Sequence, residues 1–198
     1  MTDVRKAETA EVGPLAATLA RAFEDDPVQA WILPDETTRL ATLTALFEVT
    51  LRALYLPLAE SYTVNDCVSV ALWMPPDEWE IDDAAIARLA PVAEVVGDGL
   101  GALMTMLELA AEHHPHEPVH YYLNVLGTDP SRQGEGLGSA TMRPVLERCD
   151  AAGLGAYLES SKETNVPFYE HHGFVVTGTM QLPDDGPLMW SMWREPRA

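Results

Sequence analysis

The hydrophobic positions of the chain repeat with two different periods, which predicts alternating helices and strands. Val12, Leu15, Leu19 and Phe23 follow one another at helical spacing, whereas residues 119–126 (VHYYLNVL) form an apolar and aromatic run of strand length. The two patterns predict helices over residues 10–23, 28–33, 36–56, 81–112, 140–150 and 166–172, and strands over 4–6, 60–64, 67–74, 119–126, 155–160, 174–181 and 187–194. The chain is therefore expected to fold as an α/β protein.

Polar and helix-breaking residues separate these elements. Thr9 is expected to cap the first helix, and residues 24–27 (EDDP) end it. Asn65 and Asp66 suit a tight turn between two strands, and Pro91 interrupts the long helical region. The first three helices are expected to flank or cover the sheet.

Length and charge narrow the class of protein further. A chain of 198 residues fits a single domain over residues 1–198. No run approaches the ~18 apolar residues of a membrane span and the N-terminus is too polar for a signal peptide, so we expect a cytoplasmic protein without membrane contact. A net charge of -19 argues against a nucleic-acid partner, whose phosphates would be repelled, and permits a cationic substrate. The sequence is compatible with a homodimer.

Cysteine and histidine spacing does not indicate a metal site. Cys67 and Cys149 lie far apart in sequence and are expected to be free, buried thiols. His113, His114 and His116 lack a carboxylate or cysteine at metal-ligand spacing, so no metal is predicted.

Residues 123–139 (LNVLGTDPSRQGEGLGS) carry the strongest local signal. An apolar run leads through a turn to glycines at alternate positions 134, 136 and 138, and a helical pattern starts directly behind them. Glycine lets the backbone approach a ligand closely, and the unpaired N–H groups at a helix N-terminus point towards it. Such a segment is suited to binding phosphate.

A dinucleotide-binding Rossmann unit is the rival interpretation of this segment. It also places a glycine-rich turn between a strand and a helix, with an acidic residue further on, here Glu159. However, residues 128–133 separate the strand from the first glycine, the spacing is GxGxG rather than GxGxxG, and too little chain follows Glu159 for a doubly wound sheet. The Rossmann interpretation is therefore disfavoured.

The sequence QGEGLG at residues 133–138 resembles the Q/R-x-x-G-x-G/A acetyl-CoA signature of the GNAT superfamily of N-acetyltransferases. Residues 165–174 (NVPFYEHHGF) are similar to a later motif of the same superfamily, at the matching distance. Within it, the combined spacing resembles that of puromycin N-acetyltransferases. The resemblance covers residues 118–196 well and the remainder more weakly.

This resemblance implies a fold and a cofactor site. The fold would be a mixed, mostly antiparallel sheet of six or seven strands, flanked by helices and splayed open between the fourth and fifth strands. Acetyl-CoA would lie in the opening, with Arg132 and backbone dipoles offsetting the acidity of the chain. The implied contacts are Leu126, Gly127 and Thr128 for the pantetheine arm, Gly134, Glu135, Gly136, Leu137, Gly138 and Ser139 for the pyrophosphate, and Gln133, Asn165 and Tyr169 elsewhere on the cofactor.

The same resemblance suggests the catalytic groups. Tyr169 matches the general acid that protonates the departing thiolate, and its alternative role is an aromatic anchor of the short helix. Glu159 is the candidate base, directly or through a water, and its alternative role is a salt-bridged or solvated carboxylate at a strand end. The backbone amide near Leu126 or Gly127 would stabilise the oxyanion.

The acceptor pocket is less well defined by the sequence. Aromatic residues of the first helices and the central strands are expected to stack on the acceptor, while a carboxylate pairs with its ammonium group. The stacking candidates are Trp31, Phe47, Trp73 and Tyr121, and the pairing candidates are Asp25, Asp26 and Glu159. Burial of Trp31, Phe47 and Trp73 in the core is the alternative.

These expectations combine into an acetyl-CoA-dependent N-acetyltransferase acting on a small amine, with an aminonucleoside antibiotic as one acceptor that the resemblance implies. Two alternatives are carried forward. The first is a sensor that binds acetyl-CoA without turnover, and the second is an enzyme that acetylates a protein N-terminus or lysine.

Overall fold

A computed structural model describes residues 3–64, 66–76, 78–79 and 83–197. Its centre is one seven-stranded sheet with the strand order β1-β2-β3-β4-β5-β7-β6. All neighbouring strands are antiparallel except β4 and β5, which are parallel. The strands are β1 (Val4–Lys6), β2 (Ser61–Val64), β3 (Ser69–Met74), β4 (His120–Thr128), β5 (Gly155–Ser160), β6 (Val175–Gln181) and β7 (Leu188–Arg194).

Helices cover both faces of the sheet. A π-helical turn, Leu51–Tyr55, extends the third of them. In the described part of the chain the α-helices are α1 (Val12–Phe23), α2 (Pro27–Ile32), α3 (Glu36–Thr50), α4 (Asp83–Leu89), α5 (Pro91–Val96), α6 (Leu100–His113), α7 (Leu137–Ala152) and α8 (Val166–His171). None of these helices combines the length and the apolar composition needed to cross a membrane.

Two apolar clusters divide the core between the faces of the sheet. On the α1 face, Leu15 and Leu43 pack with Leu72 of β3. On the α7 face, Met142 of α7 packs with Trp73, the next residue of β3. Each of these side chains is fully buried, which stabilises the fold by about 1.5–3 kcal/mol for an aliphatic residue of this size. Successive residues of β3 therefore serve opposite clusters, as the alternation of a strand requires.

The sheet opens between β4 and β5. The two strands pair only over their first residues, from His120 opposite Gly155 to Tyr122 opposite Tyr157. Beyond that point β4 remains paired with β3 as far as Thr128, while β5 pairs with β7. The second half of β4 therefore presents one edge to a gap. Together with the strand order, this gap confirms the expected mixed sheet that is splayed between its fourth and fifth strands.

Most predicted elements are confirmed. The region predicted as helical over 81–112 divides into α4, α5 and α6, and the other differences lie at the ends of elements. Thr9, the predicted cap of the first helix, lies in a 3-10 turn before α1. Glu11 is the N-cap of α1 instead, and its carboxylate stabilises the preceding turn by accepting the N–H of Glu8 at 3.0 Å. The helix predicted over 36–56 changes to the π-helical turn after α3. Asn65 and Ile81, which were predicted to lie in a turn and at a helix start, fall outside the described residues.

Candidate active site

The glycine-rich loop leads from the open end of β4 into α7. Gly134 and Gly136 have φ angles of +79° and +76°, a conformation that glycine adopts without strain. Gly136 is the N-cap of α7, so the free N–H groups of its first turn follow directly. A Cβ atom at either glycine would meet nothing within 4 Å. The loop is therefore open, and its backbone dipoles favour a bound anion.

Side chains hold this loop against β4 without filling it. The Gln133 side-chain amide donates to the Thr128 carbonyl at 3.3 Å. Arg132 forms two 2.8 Å hydrogen bonds with Glu135, so its charge is paired on the surface. Gly138 lies deeper, where an added Cβ would contact Phe168 at 3.5 Å. The loop is thus seated between β4 and α8.

A β-bulge shapes the free edge of β4. Leu72 of β3 lies opposite Val125 and Trp73 opposite Leu123, which leaves Asn124 as the extra residue. The Asn124 side chain accepts a hydrogen bond from the Tyr55 hydroxyl. The bulge therefore turns a polar side chain towards the π-helical turn on the α1 face.

Glu159 lies on β5 beside the gap and on the α1 face of the sheet. Its Oε2 accepts a hydrogen bond from the Tyr122 hydroxyl at 2.6 Å. Burial raises the pKa of Glu159 to about 7, although the Tyr122 hydrogen bond acts in the opposite direction. Its Oε1 is buried and has no hydrogen-bond partner among the described residues. A carboxyl that titrates near neutral pH is suited to act as a general base.

Tyrosine side chains surround this carboxyl. Tyr122 and Tyr157 lie opposite one another on β4 and β5, with ring centroids 5.7 Å apart. Burial raises the pKa of both phenols, and the Glu159 charge adds to the rise. The Tyr157 hydroxyl is buried and, within the described part of the chain, has no partner that meets hydrogen-bond geometry. Both phenols therefore stay protonated around a carboxyl that can change its charge.

Tyr169 lies on α8, the short helix that follows β5. Its ring packs with Phe168 at 5.2 Å and with Phe174 at 6.0 Å, and the residue is 8 % exposed. Burial raises the pKa of its phenol, and the charge of Asp26 raises it further. The sequence suggested two roles, a general acid and an aromatic anchor, and this packing is compatible with both. Asn165, which precedes α8, is exposed.

Asp25 and Asp26 connect the α1–α2 loop to the residues after β5. Asp25 forms a 2.6 Å ion pair with Lys162, and Asp26 accepts a hydrogen bond from the Ser161 hydroxyl. Asp26 also caps α2, because its Oδ1 accepts the N–H of Val28 at 3.0 Å. Burial raises the pKa of the Asp26 carboxyl. Two of the three carboxylates proposed to pair with the acceptor, Asp25 and Asp26, are thus engaged within the protein.

The aromatic acceptor candidates lie in different places. Trp31 is half-buried beside the β6–β7 hairpin, and Phe47 packs in the core with Phe23 at 5.7 Å. Trp73 and Tyr121 belong to the cluster on the α7 face, opposite to the face that carries Glu159. The structure therefore does not bring Trp73 and Tyr121 to Glu159.

A histidine pair beside the rings of Tyr122 and Tyr157 was missed by the sequence interpretation. His114 and His120 approach at 3.1 Å between their Nε2 atoms, and His114 stacks on Trp79 at 4.1 Å. The His114 ring also meets the edges of Tyr122 and Tyr157, at 4.8 and 4.9 Å. Burial lowers the pKa of His114 to about 4, so it is neutral at pH 7. In the part of the chain that the structure describes, no group of three acidic, histidine or cysteine side chains is placed to hold a metal ion.

Tyr122 and Asn124 were also missed, although the sequence contains a signal for them. His120, Tyr122 and Asn124 occupy alternate positions of β4, the spacing that places side chains on one side of a strand. This signal becomes useful only once the face that carries Glu159 is known.

Comparisons with known proteins agree with this geometry. A family profile described as an acetyltransferase (GNAT) domain matches residues 88–194. An uncharacterized N-acetyltransferase of Schizosaccharomyces pombe is 30% identical over 213 residues, covering 98% of this chain and 83% of the yeast protein.

Solved structures share the fold over the whole chain. A Corynebacterium glutamicum protein described as histone acetyltransferase HPA2 and related acetyltransferase is 28% identical, with a TM-score of 0.74 over 100% of this chain and 97% of that one. Arylalkylamine N-acetyltransferase 2 of Aedes aegypti has a TM-score of 0.66 at 11% identity, over 99% of each chain. The chain therefore belongs to the GNAT family of acetyltransferases.

Proposed function

We propose that this chain transfers the acetyl group of acetyl-CoA to the amine of a small molecule by direct attack of the amine on the thioester. The observation that carries the proposal is Glu159, a buried carboxyl with a pKa near 7 that lies beside the opening between β4 and β5. The family supports acyl transfer as the reaction class.

The residues of the loop fit coenzyme A as the acyl carrier. Gly134 and Gly136 leave open space above backbone N–H groups, which suits a pyrophosphate. The free edge from Leu126 to Thr128 offers backbone groups to the amides of a pantetheine arm. When bound, acetyl-CoA supplies an acetyl group activated as a thioester.

Glu159 would act on the acceptor nitrogen. An alkylammonium ion must lose a proton before its lone pair can form the bond to the acetyl carbon, and the nitrogen loses a second proton as the amide forms. The ionised Glu159 carboxylate accepts a proton while Tyr122 keeps donating to its other oxygen. The backbone N–H near Leu126 or Gly127 would stabilise the developing charge on the carbonyl oxygen.

Tyr169 would act on the leaving group. The carbon–sulfur bond breaks as the amide forms, and the thiolate takes a proton from the Tyr169 phenol. The raised pKa of this phenol keeps it protonated at neutral pH, as a general acid requires. The complete transfer releases one proton, because the nitrogen gives up two and the sulfur takes one.

The acceptor is proposed only as a class. A net charge of -19 suits a cationic small amine. The aminonucleoside acceptor implied by the sequence resemblance stays a prediction, as do roles in antibiotic resistance, a cytoplasmic location and a homodimer. A second candidate acceptor is a protein amine, because the 28% identical Corynebacterium protein is described as a histone acetyltransferase.

The test compares acetyl transfer in the wild type, Glu159→Gln and Tyr169→Phe. We expect turnover with at least one amine, a loss of about 100-fold or more in either variant, and unchanged acetyl-CoA affinity in Glu159→Gln. Tight acetyl-CoA binding without turnover on small amines or peptides would instead indicate a sensor.

A further inference from the structure

A cavity lies beside α7, next to the glycine-rich loop. Its volume is about 360 Å³. Gly136 and Ser139, two of the predicted pyrophosphate contacts, line one end, so the cavity continues directly from the loop. The rest of the lining includes Arg143, Arg194 and Arg197, together with His172.

The guanidinium groups in this cavity stand out against the charge of the whole chain. Acidic residues outnumber lysine and arginine by 31 to 12. Seven of the 12 basic side chains form ion pairs, and Arg39 and Arg88 donate to backbone carbonyls. Three basic side chains form neither an ion pair nor a hydrogen bond among the described residues, namely those of Arg52, Arg143 and Arg197. Two of these three therefore lie in one cavity of an acidic protein.

Hydrogen bonds fix two side chains in the wall of the cavity, and one of them keeps a spare N–H donor. Arg194 is 2 % exposed, donates to Asp150 at 2.8 Å and to the His172 carbonyl at 3.0 Å, and its Nη1 has no partner within the described chain. His172 is fixed in turn by a 2.8 Å contact between its Nε2 and the Ser139 hydroxyl. Desolvation lowers the pKa of His172, so the arginines supply the positive charge.

The carboxylates that face the cavity only partly offset this charge. Asp150 is paired with Arg194 and also accepts the backbone N–H of Arg197 at 2.7 Å. Glu147 is the other acidic residue in the lining. Three guanidinium groups against two carboxylates leave a net positive site, and the N-terminus of α7 adds to it. Arginine forks match the geometry of a phosphate monoester.

We propose that this cavity binds the ribose 3′-phosphate of coenzyme A through Arg143 and Arg197, so that the protein distinguishes coenzyme A from dephospho-coenzyme A. This inference rests on the proposed function, because it takes the ligand of the neighbouring loop to be coenzyme A. In this arrangement the 3′-phosphate of coenzyme A contacts the guanidinium groups of Arg143 and Arg197.

The test is calorimetric titration of the full chain with coenzyme A and with dephospho-coenzyme A at one fixed salt concentration. We expect the wild type to bind coenzyme A about tenfold or more tightly than dephospho-coenzyme A, because only coenzyme A carries the phosphate monoester that forms charge-assisted hydrogen bonds with the two guanidinium groups. The double variant Arg143→Gln/Arg197→Gln should bind both ligands within about twofold of each other. Arg52→Gln, the third unpaired arginine, is the matched control and should keep the wild-type ratio. Thermal melting checks that each variant is folded.

Equal wild-type affinity for the two ligands would overturn the inference, as would a double variant that weakens both ligands equally. The result also separates the inference from the proposed function. If the protein distinguishes the two ligands but acetylates no amine, the phosphate site is supported and the transferase function is refuted. If it acetylates an amine but binds the two ligands equally, the transferase function is supported and the phosphate site is refuted. A wild type that binds neither ligand would refute both.

Discussion

Replacing Glu159 by glutamine should impair catalysis and stabilise the protein at the same time. In the folded chain burial raises the pKa of Glu159 to about 7, from an ordinary value of 4.5. The carboxyl therefore prefers its protonated form when folded. Its contribution to stability is complete below about pH 4.5 and is lost as the pH rises through 7. At about 1.36 kcal/mol per pKa unit, the loss amounts to about 3 kcal/mol.

Glu159→Gln removes this titration and keeps an oxygen that can accept the Tyr122 hydrogen bond. The difference in unfolding free energy between variant and wild type should therefore shift in favour of the variant by about 3 kcal/mol between pH 4.5 and pH 8. Urea unfolding at several pH values measures the difference, and other titrating groups cancel because both proteins share them. Glu163→Gln, which neutralises an exposed carboxyl four positions further along the chain, controls for the loss of one acidic side chain as such.

Kinetics provides the second half of this test. The wild-type kcat/KM should rise with pH around 7, as Glu159 loses its proton, and Glu159→Gln should abolish that rise and reduce kcat/KM at pH 7.5 by about 100-fold or more. A pH-independent stability difference would show that the carboxyl is not held near pKa 7. A variant with wild-type turnover would show that it is not the base.

Four further changes probe other parts of the site. Tyr169→Phe should lower kcat by about 100-fold with little effect on melting temperature, because phenylalanine keeps the ring packing against Phe168 and Phe174. Gly136→Ala should destabilise the protein by about 1–2 kcal/mol in urea unfolding, because φ is +76° there. Gly138→Ala makes only an ordinary 3.5 Å contact with Phe168 and should mainly raise the KM for acetyl-CoA, whereas an unchanged KM would place the cofactor elsewhere. His114→Phe should reduce the loss of stability between pH 6.5 and pH 4, because burial lowers the pKa of this imidazole to about 4 and folding then resists its protonation.

The features that the sequence predicts well are local ones. The strand β5 has the bounds expected from its pattern, and the glycine-rich loop lies where its spacing indicates. In both cases the signal is contained within a few consecutive residues. Positive φ at Gly134 and Gly136 is likewise a property of the local turn.

The features that the sequence does not predict depend on which face of the sheet a residue joins. Tyr121 and Tyr122 are adjacent and chemically identical, yet Tyr121 packs on the α7 face while Tyr122 reaches Glu159. Neighbouring strand residues point in opposite directions, so the choice depends on the strand register and on which helices cover each face. His114 lies at the end of a different element and meets Tyr122 only after the chain has folded. These contacts are non-local.

The most direct test of the central claim is thiol release from acetyl-CoA, followed with a colorimetric thiol reagent. The panel of acceptors includes puromycin, aminoglycosides, polyamines and peptides, with Glu159→Gln measured beside the wild type. The account predicts turnover that is selective for a class of small amines and falls by about 100-fold or more in the variant. Release that is independent of any added amine, or equal in wild type and variant, would contradict it.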